Sequence, residues 1–308
     1  MRLFLIIVLS CFSMLVVLSL GYLLYERNEM LRTYKREIFG MRTDYQTLQT
    51  AYDTLQAKVR SLRKITILSS TQASKNTQIG NSIHAHVNKI NGDISIYYKN
   101  LSTDESVVID GDKKYYMASL YKVILTLYML GEVRAGNVSL NDPIGDSTVE
   151  EALNKIITES NNEYAQLLAN TYGWDVIEAK MKEKLGIEFR FDTTLETSVV
   201  SMGGLFADIA LSLKVTGAET EYLLRLLKDQ TRTSKLPKYL PATIYSHNKT
   251  GEYEGFSHDA GIFYTPKANY ILIFMSNTPI PGETNEQMAL MSKEIYETLN
   301  DAKIAANQ

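Results

Sequence analysis

Ser119-Leu120-Tyr121-Lys122 places a hydroxyl and an amine three residues apart. On a helix, residues at that spacing share a face, so the lysine amine can reach the serine oxygen. A serine hydroxyl is a weak nucleophile until a base takes its proton. The pair opens an apolar run from Met117 to Leu130, which reads as a helix buried on nearly every side and stopping at Gly131. A helix N-terminus adds free N–H groups and a dipole that favour developing negative charge. Burial, or a second cation nearby, lowers a lysine pKa and suits it to act as a base. The chemistry on offer is nucleophilic catalysis by an activated hydroxyl.

Ser-x-x-Lys arises by chance in a chain of this length, and Ser61-Leu62-Arg63-Lys64 is such a match, without partners. Two further elements separate Ser119 from that decoy. Ser160-Asn161-Asn162 lies on a helix that opens at the capping box Thr148-Val149-Glu150-Glu151 and runs to about Asn170. Lys249-Thr250-Gly251 ends the strand expected over Ile244 to Asn248. Taken singly, these are an N-cap serine, a polar patch and a strand end. Together they stand in the order and approximate spacing of the set Ser-x-x-Lys, Ser-x-Asn, Lys-Thr-Gly.

On these residues the stretch from Ser82 to Leu299 resembles the penicillin-recognising serine enzymes, most closely the class A β-lactamase domain. Tyr116-Met117-Ala118-Ser119, Gly136 to Asp142, Ile156 to Asn162 and Leu236-Pro237 extend the likeness beyond the three motifs. The resemblance implies acyl transfer: Ser119 attacks a lactam or peptide carbonyl, and Lys122 is the base, directly or through a water. Ser160 relays a proton toward the leaving nitrogen. Asn162 holds the substrate's side-chain amide. Lys249 and Thr250 bind its carboxylate, with Lys249 also supplying the second cation that depresses Lys122. The N–H groups of Ser119 and of Glu252, just after Gly251, make the oxyanion hole. A charged Glu252 is unusual there, and it either narrows the groove or repels a substrate carboxylate.

Class A enzymes carry a Glu-x-x-x-Asn loop that clears the acyl-enzyme. Here Leu185-Gly186 matches the lead-in, Glu196 falls at the right count, and Val200 replaces the asparagine. Most of the loop is missing. Either Glu196 is a helix-start acid without a chemical role, or it reaches the acyl carbonyl from a shortened loop. The first reading gives an enzyme that acylates and hydrolyses slowly.

The elements that must position these residues read as follows. Ile94 to Asn100 and Ser106 to Asp110 are strands around a polar turn, and Ala260 to Tyr264 and Tyr270 to Met275 are strands joined by Pro266 to Asn269. Helices are expected near Trp174–Leu185, Leu205–Val215, Glu219–Lys228 and Glu286–Leu299. Strands at both ends with helices between imply one sheet built from the two termini and a helical subdomain. With the resemblance, the fold class is α+β: a mostly antiparallel sheet flanked by helices, in an α/β sandwich.

Ahead of this domain, Leu3 to Tyr25 carries no charged side chain and is long enough to span a bilayer. Leu31, Tyr34, Ile38, Met41, Tyr45, Leu48, Tyr52, Leu55, Val59 and Leu62 then form an a/d heptad seam. Such a stalk, Leu31 to Lys64, reaches about 50 Å and makes the chain a homo-oligomer. The expected organisation is a transmembrane anchor over 1–25, a coiled-coil stalk over 26–64, a Ser/Thr/Gln/Asn-rich linker over 65–81 and the catalytic domain over 82–308. Arg27, Arg32, Lys35 and Arg36 after the span favour a cytoplasmic domain by the positive-inside rule. The implied β-lactam or peptidoglycan stem-peptide substrates place it outside the cytoplasmic membrane instead. A net charge of −3 removes nucleic acid as the default partner. The lone Cys11 excludes an intramolecular disulfide, and His84, His86, His247 and His258 form no metal motif, so no metal or cofactor is expected. The alternative function is a peptidoglycan-binding scaffold with little turnover, dimerised by the stalk.

Overall fold

The computed structural model describes residues 70–302, together with Arg27, Ala51, Tyr52 and Leu55. The Leu3–Tyr25 span and the rest of the heptad stalk lie outside the described residues. Among the described residues no helix is long and apolar enough to cross a membrane. The chain separates into two units, 1–67 and 68–308, and the domain described below is the second.

That unit opens with α1, Ser70–Val87, where a linker was expected. Its Ser/Thr/Gln/Asn composition obscures a helical spacing: Ile79 and Ile83 are fully buried, and Val87 packs beside them. His86 is buried on the same helix, bonded to Gln287 at 2.8 Å and Glu294 at 3.2 Å, while His84 is exposed. The helix therefore runs through the expected linker and past the domain start expected at Ser82.

Strands β1 (Asp93–Asn100) and β2 (Ser106–Ile109) follow, close to expectation. A two-residue strand β3 (Tyr115–Tyr116) leads through a 3₁₀ turn (Ala118–Leu120) into α2 (Tyr121–Arg134). Ten consecutive α2 residues, Tyr121 to Leu130, are buried, as the all-round apolar run required. The helix passes through Gly131 rather than stopping there, since one glycine weakens a helix without ending it. After the small hairpin β4 (Pro143–Ile144) and β5 (Ser147–Thr148) come α3 (Val149–Thr158), α4 (Asn162–Tyr172) and α5 (Trp174–Leu185). The single helix expected to run to Asn170 is thus two, broken at Ser160.

Strand β6 (Glu196–Thr197) pairs with β3, and helices α6 (Val199–Leu211) and α7 (Gly217–Lys228) complete the helical body. Three strands, β7 (Tyr245–Tyr253), β8 (Phe256–Tyr264) and β9 (Tyr270–Asn277), and helix α8 (Pro281–Asn300) close the chain.

The main sheet has the order β2-β1-β9-β8-β7, every neighbouring pair antiparallel. Its central strand shows why it is covered on both sides. Tyr270, Leu272 and Phe274 enter one core, with Ile79, Ile83, Met288 and Ile295 of α1 and α8. Ile271, Ile273 and Met275 enter the other, with α2 and α6. Alternation along a strand sends successive side chains to opposite faces, so a wholly apolar strand demands a layer on each. The result is an α/β sandwich with a helical subdomain.

Candidate active site

The site forms where the α2 N-terminus, the α3–α4 break and β7 meet. Ser119 sits in the 3₁₀ turn before α2, behind Ala118, whose φ of +47° is left-handed. Ala118 is held from both sides: the Met117 N–H donates to Leu195 O at 2.7 Å, and Leu120 N–H donates to Met117 O at 3.0 Å. Such strain persists only when surrounding structure over-determines it, and it gathers at functional sites. Ser160 (φ +62°) and Leu195 (φ +45°) share that conformation and border the same region.

Ser160 lies in the break between α3 and α4, not on a continuous helix. Asn161 caps α4 by accepting the Tyr164 N–H at 2.9 Å, so the new helix starts there and leaves Ser160 outside it. The free end of α3 is tied down by Gln230, whose amide donates to Ile157 O at 3.1 Å, and by Thr231, whose hydroxyl donates to Thr158 O at 2.9 Å.

Lys122 is fully buried. Its amine donates to Ser160 O at 2.6 Å, to Asn162 Oδ1 at 2.5 Å and to Ser160 Oγ at 3.3 Å. None of these hydrogen bonds reaches Ser119. Burial, assisted by Arg232, lowers its pKa to about 8. Lys249, also fully buried, donates to Ser160 Oγ at 2.9 Å and Thr250 O at 3.0 Å. Burial first, then the Lys122 and Arg232 charges, pushes its pKa well below the usual lysine range. Two amines that share one hydroxyl in a dry site cannot both keep their protons easily.

Lys249-Thr250-Gly251 lies inside β7 rather than at its end, because the pairing with β8 continues to Tyr253↔Phe256. Gly251 is where the strand meets the nucleophile turn: a Cβ there would stand 3.0 Å from Met117 O and 3.3 Å from Ala118 Cβ. A side chain there would force the turn to give by a few tenths of an ångström, and the close approach carries Glu252 to the cleft beside Ser119.

Sequence reasoning missed the layer beneath. Lys235 is buried, donating to His258 O at 3.0 Å and Gly251 O at 3.3 Å, and ion-paired to Glu252 at 3.0 Å. Arg232 also meets Glu252, at 3.3 Å. Buried Asp259 accepts from Asn248 Nδ2 at 2.9 Å and from the Leu236 N–H at 3.1 Å, fixing the segment that carries Lys235. Burial raises the Asp259 pKa to about 6. His258, fully buried, accepts from the Ser276 N–H at 3.1 Å through Nδ1 and so donates from Nε2 to Tyr116 O at 2.8 Å. Those roles define a neutral ring, and burial holds its pKa down to about 4. The sequence signal was Leu236-Pro237, which marked this segment without marking the lysine before it.

A cleft of about 640 Å³ opens over Ser119. Asn162 and Glu252 line it, with an aromatic wall of Tyr116, Tyr121, Trp174 and Phe191. Leu195 and Asp192 line it as well, but Glu196 does not. Glu196 pairs in β6 with Tyr116 and is not among the residues that line the cleft. Among the described residues no cluster of three His, Cys, Asp or Glu side chains is placed to hold a metal ion.

The sequence profile of the beta-lactamase enzyme family matches residues 78–299, and the chain belongs to that family of penicillin-recognising serine enzymes. Its fold is shared with a beta-lactamase from Chitinophaga pinensis, 19% identical at a TM-score of 0.66, over 71% of this chain and 98% of that one. PBP-A is similar at 20% identity and a TM-score of 0.66, over 74% of this chain and 97% of that one, and a mutant of it was solved as an acyl-enzyme complex with penicillin G. An ancestral class A beta-lactamase matches at 19% identity and a TM-score of 0.65, over 71% of this chain and 99% of that one. At these identities the likeness is one of fold. No curated protein matches the chain significantly.

Proposed function

We propose that this chain is a membrane-anchored serine hydrolase that forms an acyl-enzyme on Ser119 with β-lactams or with acyl-D-Ala-D-Ala ends of cell-wall peptides, its domain held outside the cytoplasmic membrane by the Leu3–Tyr25 span. The observation that carries the reading is the meeting of two buried amines, Lys122 and Lys249, on the Ser160 hydroxyl below the cleft that exposes Ser119.

Ser119 Oγ attacks the carbonyl carbon, and its proton passes to Lys122, directly or through one water. A pKa near 8 leaves Lys122 a working fraction of free amine close to neutral pH. The N–H groups of Ser119 and Glu252 take the developing oxyanion. As the C–N bond breaks, the proton moves from Lys122 through Ser160 Oγ to the leaving nitrogen, and Lys249 steadies the relay from the far side. Asn162 orients the acyl side chain's amide, while Thr250 and Lys249 take a substrate carboxylate. Release by water is slow, because Glu196, the candidate general base of the loop, is not among the residues that line the cleft.

The test is incubation of the full chain in detergent with labelled penicillin G, followed by intact mass and peptide mapping. A long-lived adduct on Ser119 supports the reading. Neither adduct nor hydrolysis would overturn it in favour of a non-catalytic peptidoglycan-binding scaffold.

A further inference from the structure

The residue after Gly251 departs from everything around it. Lys249, Thr250 and Gly251 are buried in β7, whereas the Glu252 side chain is 48% exposed and stands at the cleft. Around it lie three basic side chains, Lys235, Arg232 and Lys249. The other carboxylate in that group, Asp259, is sealed beneath the sheet on Asn248 and Leu236. Asp192 also lines the cleft, but its oxygens are taken within their own loop by Thr194 and Arg190. Glu252 is therefore the carboxylate that answers the cationic cluster from the cleft side.

Its hold is firm at one end. Lys235 cannot move, since it is buried and donates to two backbone carbonyls, and its remaining reach goes to Glu252 Oε1 at 3.0 Å. Arg232, half exposed, bonds Oε2 at 3.3 Å. These cations also keep the Glu252 carboxyl below the ordinary range for glutamate, so it carries its charge throughout neutral pH. A substrate carboxylate seated on Thr250 and Lys249 would arrive one residue away, facing a fixed like charge and competing for the same cations.

We propose that Glu252 is a selectivity residue that supplies the site's counter-anion from the protein itself, and so cuts the advantage that acyl donors bearing a carboxylate beside the scissile bond would otherwise hold over neutral esters and amides. The inference rests on the Ser119 acyl-transfer reading and narrows its substrate class. Penicillins still react, but against Glu252.

A matched pair of donors isolates the effect: penicillin G and its methyl ester, which differ in one negative charge. The second-order rate of Ser119 acylation is measured by mass for each, with the full chain in detergent at low salt. In the wild type, esterification is expected to cost less than about fivefold, because the carboxylate gains little past Glu252. In Glu252→Gln, the acid-to-ester rate ratio is expected to rise about tenfold, the size of one like-charge contact about 6 Å away at a half-exposed site. Raising the salt should shrink that rise. A ratio that Glu252→Gln leaves unchanged overturns the proposal while the adduct itself leaves acyl transfer standing. Should the variant not fold, the wild-type pair decides alone, and a hundredfold loss on esterification overturns the proposal. Absence of any adduct with either donor removes the acyl-transfer reading and this inference with it.

Discussion

Replacing Lys122 with methionine separates what this amine does for the reaction from what it does to the fold. The side chain is fully buried, with its amine on Ser160 and Asn162. A pKa brought from 10.5 to about 8 means that the charged amine is disfavoured in the folded chain by about 3 kcal/mol. Below pH 8 the amine is protonated in both folded and unfolded chains, and the full penalty stands. Between about 8 and 10.5 the folded chain sheds its proton first, so the unfolded chain binds more protons and stability rises with pH. Above that window both amines are neutral and the penalty is gone. Lys122→Met has no such titration. The stability of wild type relative to the variant should therefore climb by up to about 3 kcal/mol from pH 7.5 to 10.5. Lys249 loses its neighbouring charge in the variant, which adds to the difference with the same sign. Urea unfolding of the 68–308 unit at several pH values reads the slope. In the full chain, loss of the base should slow acylation of Ser119 by about 10²- to 10⁴-fold. A stability difference that stays flat over this range refutes the depressed lysine. Acylation within tenfold of wild type refutes its role as the base.

Gly251→Ala pushes a Cβ to 3.0 Å from Met117 O, so β7 and the nucleophile turn must part. We expect destabilisation of about 1–3 kcal/mol, seen as a melting temperature lower by roughly 2–10 °C, and acylation slower by about a hundredfold. Glu196→Gln should leave the rate of acyl-enzyme release unchanged, since Glu196 is not among the residues that line the cleft; pulse-chase with labelled penicillin measures it. A fragment starting at Ser82 loses Ile79, which is 1% exposed beneath the sheet, and should melt well below one starting at Leu68, by an amount matching about 2–5 kcal/mol for an emptied isoleucine site.

Much of this protein is local enough to be read from residue order. Strand β9 shows itself as an apolar run, α5 matches its expected bounds of Trp174–Leu185, and the ten buried residues of α2 follow from an unbroken apolar stretch. The three motifs name Ser119, Lys122, Ser160, Asn162 and Lys249, because each is a short segment whose chemistry is carried by residue type. Helix α1 was hidden, because two isoleucines four apart among polar residues signal a buried face only when α8 is there to receive it. The break at Ser160 was hidden too: the helical pattern continues through it, and the cap on Asn161 together with the grip of Gln230 and Thr231 decides otherwise.

Residue types and their order alone determined the class of chemistry and the sheet assembled from both ends of the domain. Which groups the two amines meet, that Leu195 rather than Glu196 lines the cleft, and that Glu252 answers Lys235 and Arg232 were decided only by tertiary structure. Burial, close backbone approach at Gly251 and long-range charge pairing arise between segments far apart in the chain, and no local pattern carries them.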